Sequence, residues 1–92
     1  MRIVAKIGTA SITTTDGKID RTAIARLVDE AAVLRAAGHE VIVVSSGAVA
    51  AGVAAMGMAQ RPTDMQTVQA VSAIGQSRLV EAYNTEFERH GI

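Results

Sequence analysis

The chain has 92 residues, 49% of them apolar, and nine basic residues balanced by nine acidic ones. That length holds one small domain at most, and a chain of this size buries only roughly 60–65% of the surface its unfolded form exposes. Zero net charge excludes a general polyanion binder, whose affinity comes from clustered positive charge, and no nucleic-acid partner is expected. The absence of cysteine excludes disulfides and thiolate metal sites. Only Tyr83 and Phe87 are aromatic, so the core must be built from Val, Ile, Leu, Met and Ala.

The opening "MRIVAKIG" lacks the apolar length of a secretion signal. Its residues 2–8 are short, β-prone and mostly apolar, which predicts a strand buried on both faces, as in a parallel sheet. The Thr- and Ser-rich "TASITTTDGKI" that follows carries an Asp16-Gly17 turn signal and reads as a loop with room for a short hairpin. Asp20 can cap a helix over residues 21–37, where Ile24, Leu27, Val28, Ala31 and Leu34 recur at helical spacing. Gly38 ends it, and "EVIVV" makes a second strand over residues 40–44. Strand, helix and strand with short links form a βαβ unit, so the two strands should run parallel.

"SSGAVAAGVAAMGM" predicts a tight turn at residues 45–47 and a helix over 48–56, broken by "AQRPTD". The stretch 41–59 carries no charge. Its serines, glycines and alanines argue for a buried strand and helix rather than a membrane span. Thr63 with Gln66 forms a capping box for a long helix over residues 64–88. Met65, Val68, Val71, Ile74, Leu79, Ala82, Tyr83 and Phe87 are its apolar stripe. Gly75 in its middle costs about 1 kcal/mol against alanine, which points to close packing against another backbone or to a kink. Met56, Met58 and Met65 are expected to fill gaps in the core. His39 and His90 fall at helix C-termini, where a partly positive imidazole is favoured. Two parallel strands make a poor sheet by themselves, so the chain reads as the first part of a longer domain.

In open α/β sheets, ligands sit beyond the carboxyl ends of the strands. Here "KIGTAS" and "VSSGA" each put glycine and hydroxyls at such an end, where backbone N–H groups can face an anion. Lys6 adds a fixed positive charge. Two adjacent anion pockets are expected, one for phosphate and one for a carboxylate or a second phosphate. Known phosphate loops do not match. Eight residues separate Gly8 from Gly17, Ile19 follows Lys18, and Val49 stands where a dinucleotide fingerprint beginning at Gly47 needs glycine.

"VAKIGTASIT", "AAGHEVIVVSSGAVAAG" and "AIGQSRLVEAYNTEFERHGI", in that order, resemble the amino acid kinase family. "V-S-S-G-A-V-A-A-G" and "G-Q-S-R-L" carry most of the likeness. Ser45-Ser46-Gly47 points away from family members acting on acetylglutamate or nucleoside monophosphates, which have three glycines there. The resemblance implies a three-layer α/β/α sandwich of which this chain is the N-terminal βαβαα part, with the nucleotide-binding part downstream. It implies ATP-dependent phosphorylation of the side-chain carboxylate of L-glutamate, the first step of proline biosynthesis, in the cytoplasm, with Mg²⁺ and as a homo-oligomer. The 92 residues alone are expected to be inactive. Carried over by motif, Lys6 contacts the transferring phosphate as the catalytic residue, Gly8 and Thr9 bring backbone N–H groups to the phosphates, and Ser46 binds glutamate with Gly47 beside it. No metal ligand is assigned. Ala10 stands where the family usually has serine, and Ser11 is the alternative hydroxyl. A reading of another class is a non-catalytic oligomerisation or regulatory α/β fragment that presents residues 65–87 to a partner.

Overall fold

A computed structural model describes all 92 residues. Two strands, β1 (Arg2–Ile7) and β2 (Glu40–Ser45), pair in parallel, with Arg2 opposite Glu40 and Ile7 opposite Ser45. Four helices complete the chain: α1 (Thr9–Ile12), α2 (Arg21–Ala36), α3 (Ala48–Ala55) and α4 (Met65–Arg89). No helix is long and apolar enough to cross a membrane.

The predicted boundaries of α2 and β2 hold to within a residue or two. Asp20 caps α2 by accepting from the Ala23 N–H at 3.1 Å. Ile24, Val28 and Ala31, spaced four and three apart, are its buried line. Gly38, at φ +95°, takes the left-handed conformation that closes the helix, and its N–H reaches the Arg35 carbonyl at 3.0 Å. The start of α4 shifts from the expected capping box by one residue. Asp64, not Thr63, is the cap; its carboxylate takes both the N–H and the hydroxyl of Thr67, at 2.9 and 2.7 Å. A charged acceptor at the positive end of a helix outcompetes a neighbouring hydroxyl.

The Thr/Ser-rich segment is more ordered than its composition suggests. One helical turn, α1, places Ile12 at 0% exposure in the core. An antiparallel bridge of Thr13 with Ile19 then closes the short hairpin. The core joins Ile12, Ile24, Val28, Ala51, Leu79 and Ala82, with Tyr83 and Phe87 stacked against it. Four large side chains are fully buried, each worth about 1.5–3 kcal/mol relative to exposure, so the core is thin.

Burial alternates along both strands, so β1 is covered on one face rather than two. Ile3, Ala5, Ile7, Val41 and Val43 face α2, and Val43 and Ser45 face α4. The other face is open: Val4, Ile42 and Val44 are 53%, 44% and 50% exposed. The chain therefore supplies the sheet and one helical layer of the expected sandwich. The methionines also depart from expectation, since Met56 and Met65 are 56% and 70% exposed rather than filling core gaps.

Candidate active site at the strand ends

The two strand ends are joined directly. The Ser46 N–H donates to the Ile7 carbonyl at 2.9 Å, one step beyond the last ladder pair. Gly47 then turns at φ +102°, a conformation that side-chain-bearing residues rarely adopt. A methyl group placed on Gly47 would lie 3.6 Å from Thr9 Cγ2 and 3.7 Å from Thr9 Cα, so the second turn rests on the first. The predicted residues Gly8, Thr9, Ser46 and Gly47 thus share one edge of the sheet. Lys6 is exposed on β1, opposite Val44, and forms no ion pair.

The helices fall into two kinds. Helices α2 and α4 carry aspartate caps. Helices α1 and α3, which follow β1 and β2 with at most two residues between, have glycine at the cap, no side-chain acceptor and no acidic residue in the first turn. Their first N–H groups are left for something else to satisfy. Neither Ser45 nor Ser46 caps α3 with its side chain. The Tyr83 hydroxyl bonds Ser45 Oγ at 3.1 Å, and Ser45 Oγ donates to the Ser46 carbonyl at 3.3 Å. Ser45 is thereby tied to α4, while the Ser46 hydroxyl is exposed and uncommitted. Sequence reasoning missed this role of Tyr83; its only signal was an aromatic within the α4 stripe. Ser11 lines the cleft between β1 and α2 with Ile3, Ala5 and Ile7, which makes it a poor replacement for a hydroxyl at position 10.

Two glycines fix where α3 starts. A methyl group on Gly75 would sit 1.6 Å from the Ala48 carbonyl oxygen, and one on Gly52 would sit 2.0 Å from the Val71 carbonyl oxygen. Helices α3 and α4 therefore touch backbone to backbone. Close packing, not a kink, is what Gly75 provides. The segment "A-I-G-Q-S-R-L" and the segment "S-S-G-A-V-A-A-G" are two halves of one contact, and that contact holds the first turn of α3 at the strand ends.

The shifted titrations lie elsewhere. The Thr14 hydroxyl holds Asp16 below the usual carboxylate range, His90 does so for Asp29, and Thr67 for Asp64; Glu86 raises Arg89. His90 sits 2.7 Å from Asp29 at the end of α4, as its helix-end position suggested. No three His, Cys, Asp or Glu side chains come together as a metal cluster.

Uncapped helix starts beside a parallel strand pair, with a lysine on the adjoining strand, are features that phosphate-transferring enzymes use to hold anions. The amino acid kinase family profile matches residues 1–92, and the chain belongs to that family. It is 48% identical over 91 residues to the glutamate 5-kinase of Thermobifida fusca and 45% identical over 89 residues to that of Rhodopirellula baltica. It is 48% identical over 92 residues to the glutamate 5-kinase of Ralstonia nicotianae. These alignments cover 97–99% of this chain but only 23–24% of each relative, whose N-terminal portion it matches.

Proposed function

We propose that this chain forms the substrate and phosphate side of a kinase that transfers the terminal phosphoryl group of ATP to the side-chain carboxylate of L-glutamate, giving glutamyl 5-phosphate for proline biosynthesis. The observation that carries this reading is the junction of the two strand ends, with Ser46 N–H on the Ile7 carbonyl and Gly47 against Thr9. It lets two anions approach each other at a single edge.

A glutamate side chain has an unperturbed pKa near 4.3, so the nucleophile is ionised at neutral pH and needs no general base. The barrier lies in bringing two negative groups together and in stabilising the charge of the phosphoryl group in flight. Positioning and fixed positive potential accomplish both. In this reading Lys6 and the N–H groups of Gly8 and Thr9 hold the phosphates. Ser46 and the Gly47 turn hold glutamate, aided by the positive end of α3. The carboxylate oxygen forms a bond to the terminal phosphorus as the bond from phosphorus to the bridging oxygen breaks, and ADP leaves. The site has no carboxylate of its own to grip Mg²⁺, so no step here is assigned to the ion. The reading places the enzyme in the cytoplasm as a homo-oligomer, which light scattering on the purified protein tests.

The interaction-module reading is less favoured, because Val71, Gly75, Leu79 and Ala82 of α4 are buried within the chain itself. The deciding experiment exchanges residues 1–92 for the matching N-terminal segment of the Thermobifida fusca enzyme and follows ADP release. Glutamate should drive turnover, and acetylglutamate and aspartate should not. A folded chimera that prefers acetylglutamate, or releases no ADP with glutamate, refutes the proposal.

A further inference from the structure

Three cationic side chains from distant parts of the sequence line one cleft that the proposed reaction does not use. Lys18 comes from the hairpin after α1, Arg21 from the first turn of α2, and Arg78 from the middle of α4. Ala51, Ala54 and Ala55 of α3 form the floor. The cleft measures about 330 Å³, and no acidic side chain lines it. Neither guanidinium has an ion-pair or hydrogen-bond partner in the chain. Lys18 has only Asp16, at 3.8 Å. None of the residues of the strand-end site takes part.

Three like charges brought together repel one another and destabilise the fold unless an anion joins them. Alanine on the floor leaves the cations reachable and supplies no competing acceptor. Two guanidiniums offer planar, two-pronged donation that matches phosphate oxygens, and the ammonium adds a point charge. The cavity beside Arg35, His39 and His90 differs in kind, because Asp29 already engages His90.

We infer that the cleft between the α1–α2 hairpin, α3 and α4 is a second anion site, which takes a small phosphate-bearing molecule with two or more negative charges on Lys18, Arg21 and Arg78.

Inorganic pyrophosphate is the probe, titrated into the ¹⁵N-labelled protein at about 20 mM ionic strength, where surface charges still act over roughly 20 Å. Saturable shifts are expected in the amides of Ala51, Ala54 and Ala55 and in the side-chain Nε signals of Arg21 and Arg78. Arg21→Gln and Arg78→Gln should each weaken binding by about tenfold, since each removes a charge-assisted pair. Both positions are exposed, so both variants keep the fold, and Arg35→Gln should bind like the parent. Shifts confined to Gly8, Thr9, Gly47 and Ala48 would place the anion at the strand ends and overturn the inference. So would shifts centred on His39 and His90, no saturation at millimolar pyrophosphate, unchanged affinity in both glutamine variants, or equal affinity for citrate.

Discussion

Replacing Gly75 by alanine tests whether the start of α3 is held in place by backbone contact with α4. The added methyl meets the Ala48 carbonyl oxygen at 1.6 Å and the Gly52 nitrogen at 2.6 Å. Ordinary contact begins near 3.4 Å, so one helix must retreat by about 1.8 Å, the difference between 3.4 and 1.6 Å. Both obstructing groups are backbone, and no rotamer change relieves them. Overpacking costs about 1–3 kcal/mol, and an immovable neighbour puts this site at the upper end. Alanine's better helix propensity offsets about 1 kcal/mol of that. The net expectation is a loss of about 2 kcal/mol, or roughly 8–16 °C in melting temperature for a domain of this size. Thermal unfolding followed by far-UV circular dichroism reads it. In the kinase assay the KM for glutamate should rise as well, because the same shift displaces Gly47 from Thr9. A Gly75→Ala protein that melts at or above the parent would mean that propensity decides at this position and that the two helices are not in backbone contact.

Lys6→Met in the active enzyme should lower kcat by about 10²–10³-fold, the scale of removing one preorganised charge-stabilising group, with glutamate affinity little changed; turnover within a few-fold of the parent removes Lys6 from the mechanism. The two serines should separate cleanly. Ser45→Ala leaves the half-buried Tyr83 hydroxyl without its partner and should cost about 1 kcal/mol in urea unfolding. Ser46→Ala should leave stability unchanged and raise the KM for glutamate about tenfold; the opposite pattern would reverse the roles assigned to them. Acid should weaken the fold through Asp16, Asp29 and Asp64, all held below the usual carboxylate range. A depressed folded-state pKa contributes stability that is fully present above the unfolded value of about 3.9 and lost as pH falls through the folded value. Melting temperature should therefore drop below about pH 4, and Asp64→Asn should make that decline shallower.

What the sequence disclosed follows the range of the forces involved. Strands, α2 and the α3–α4 helices were legible because β-branched runs, the Asp20 cap and the three-and-four spacing of Ile24, Val28 and Ala31 act within a few residues of themselves. The turn at the end of β2 was legible because glycine and serine right after a strand mark a change of direction. Less local facts were hidden. Ile12 looked like a loop residue, since nothing in "TASITTT" shows that one helical turn aims it into the core. The one-sided burial of β1 could not be read from "RIVAKI", because Val4 has the same chemistry on an open face as on a covered one. The exchange of Thr63 for Asp64 at the α4 cap was a contest between neighbours that charge decided.

The two most distinctive segments had no visible physical link in the sequence, and their link explains why each contains the glycine it does. Gly47 is required by its positive φ, which turns the chain from β2 into α3 while keeping the Ser46 N–H on the Ile7 carbonyl. Gly52 and Gly75 are required by space alone, since neither has positive φ and both face a carbonyl oxygen closer than any methyl group permits. That close approach seats Tyr83 of α4 against Ser45. The start of α3 has no side-chain cap even though Ser46 is uncommitted, so under the proposed function its N–H groups are left to the ligand, while α4 ties Ser45 through Tyr83. Substituting Gly75 and substituting Ser46 should accordingly both weaken glutamate binding, but only the first should also lower stability, because only the first acts through the fold.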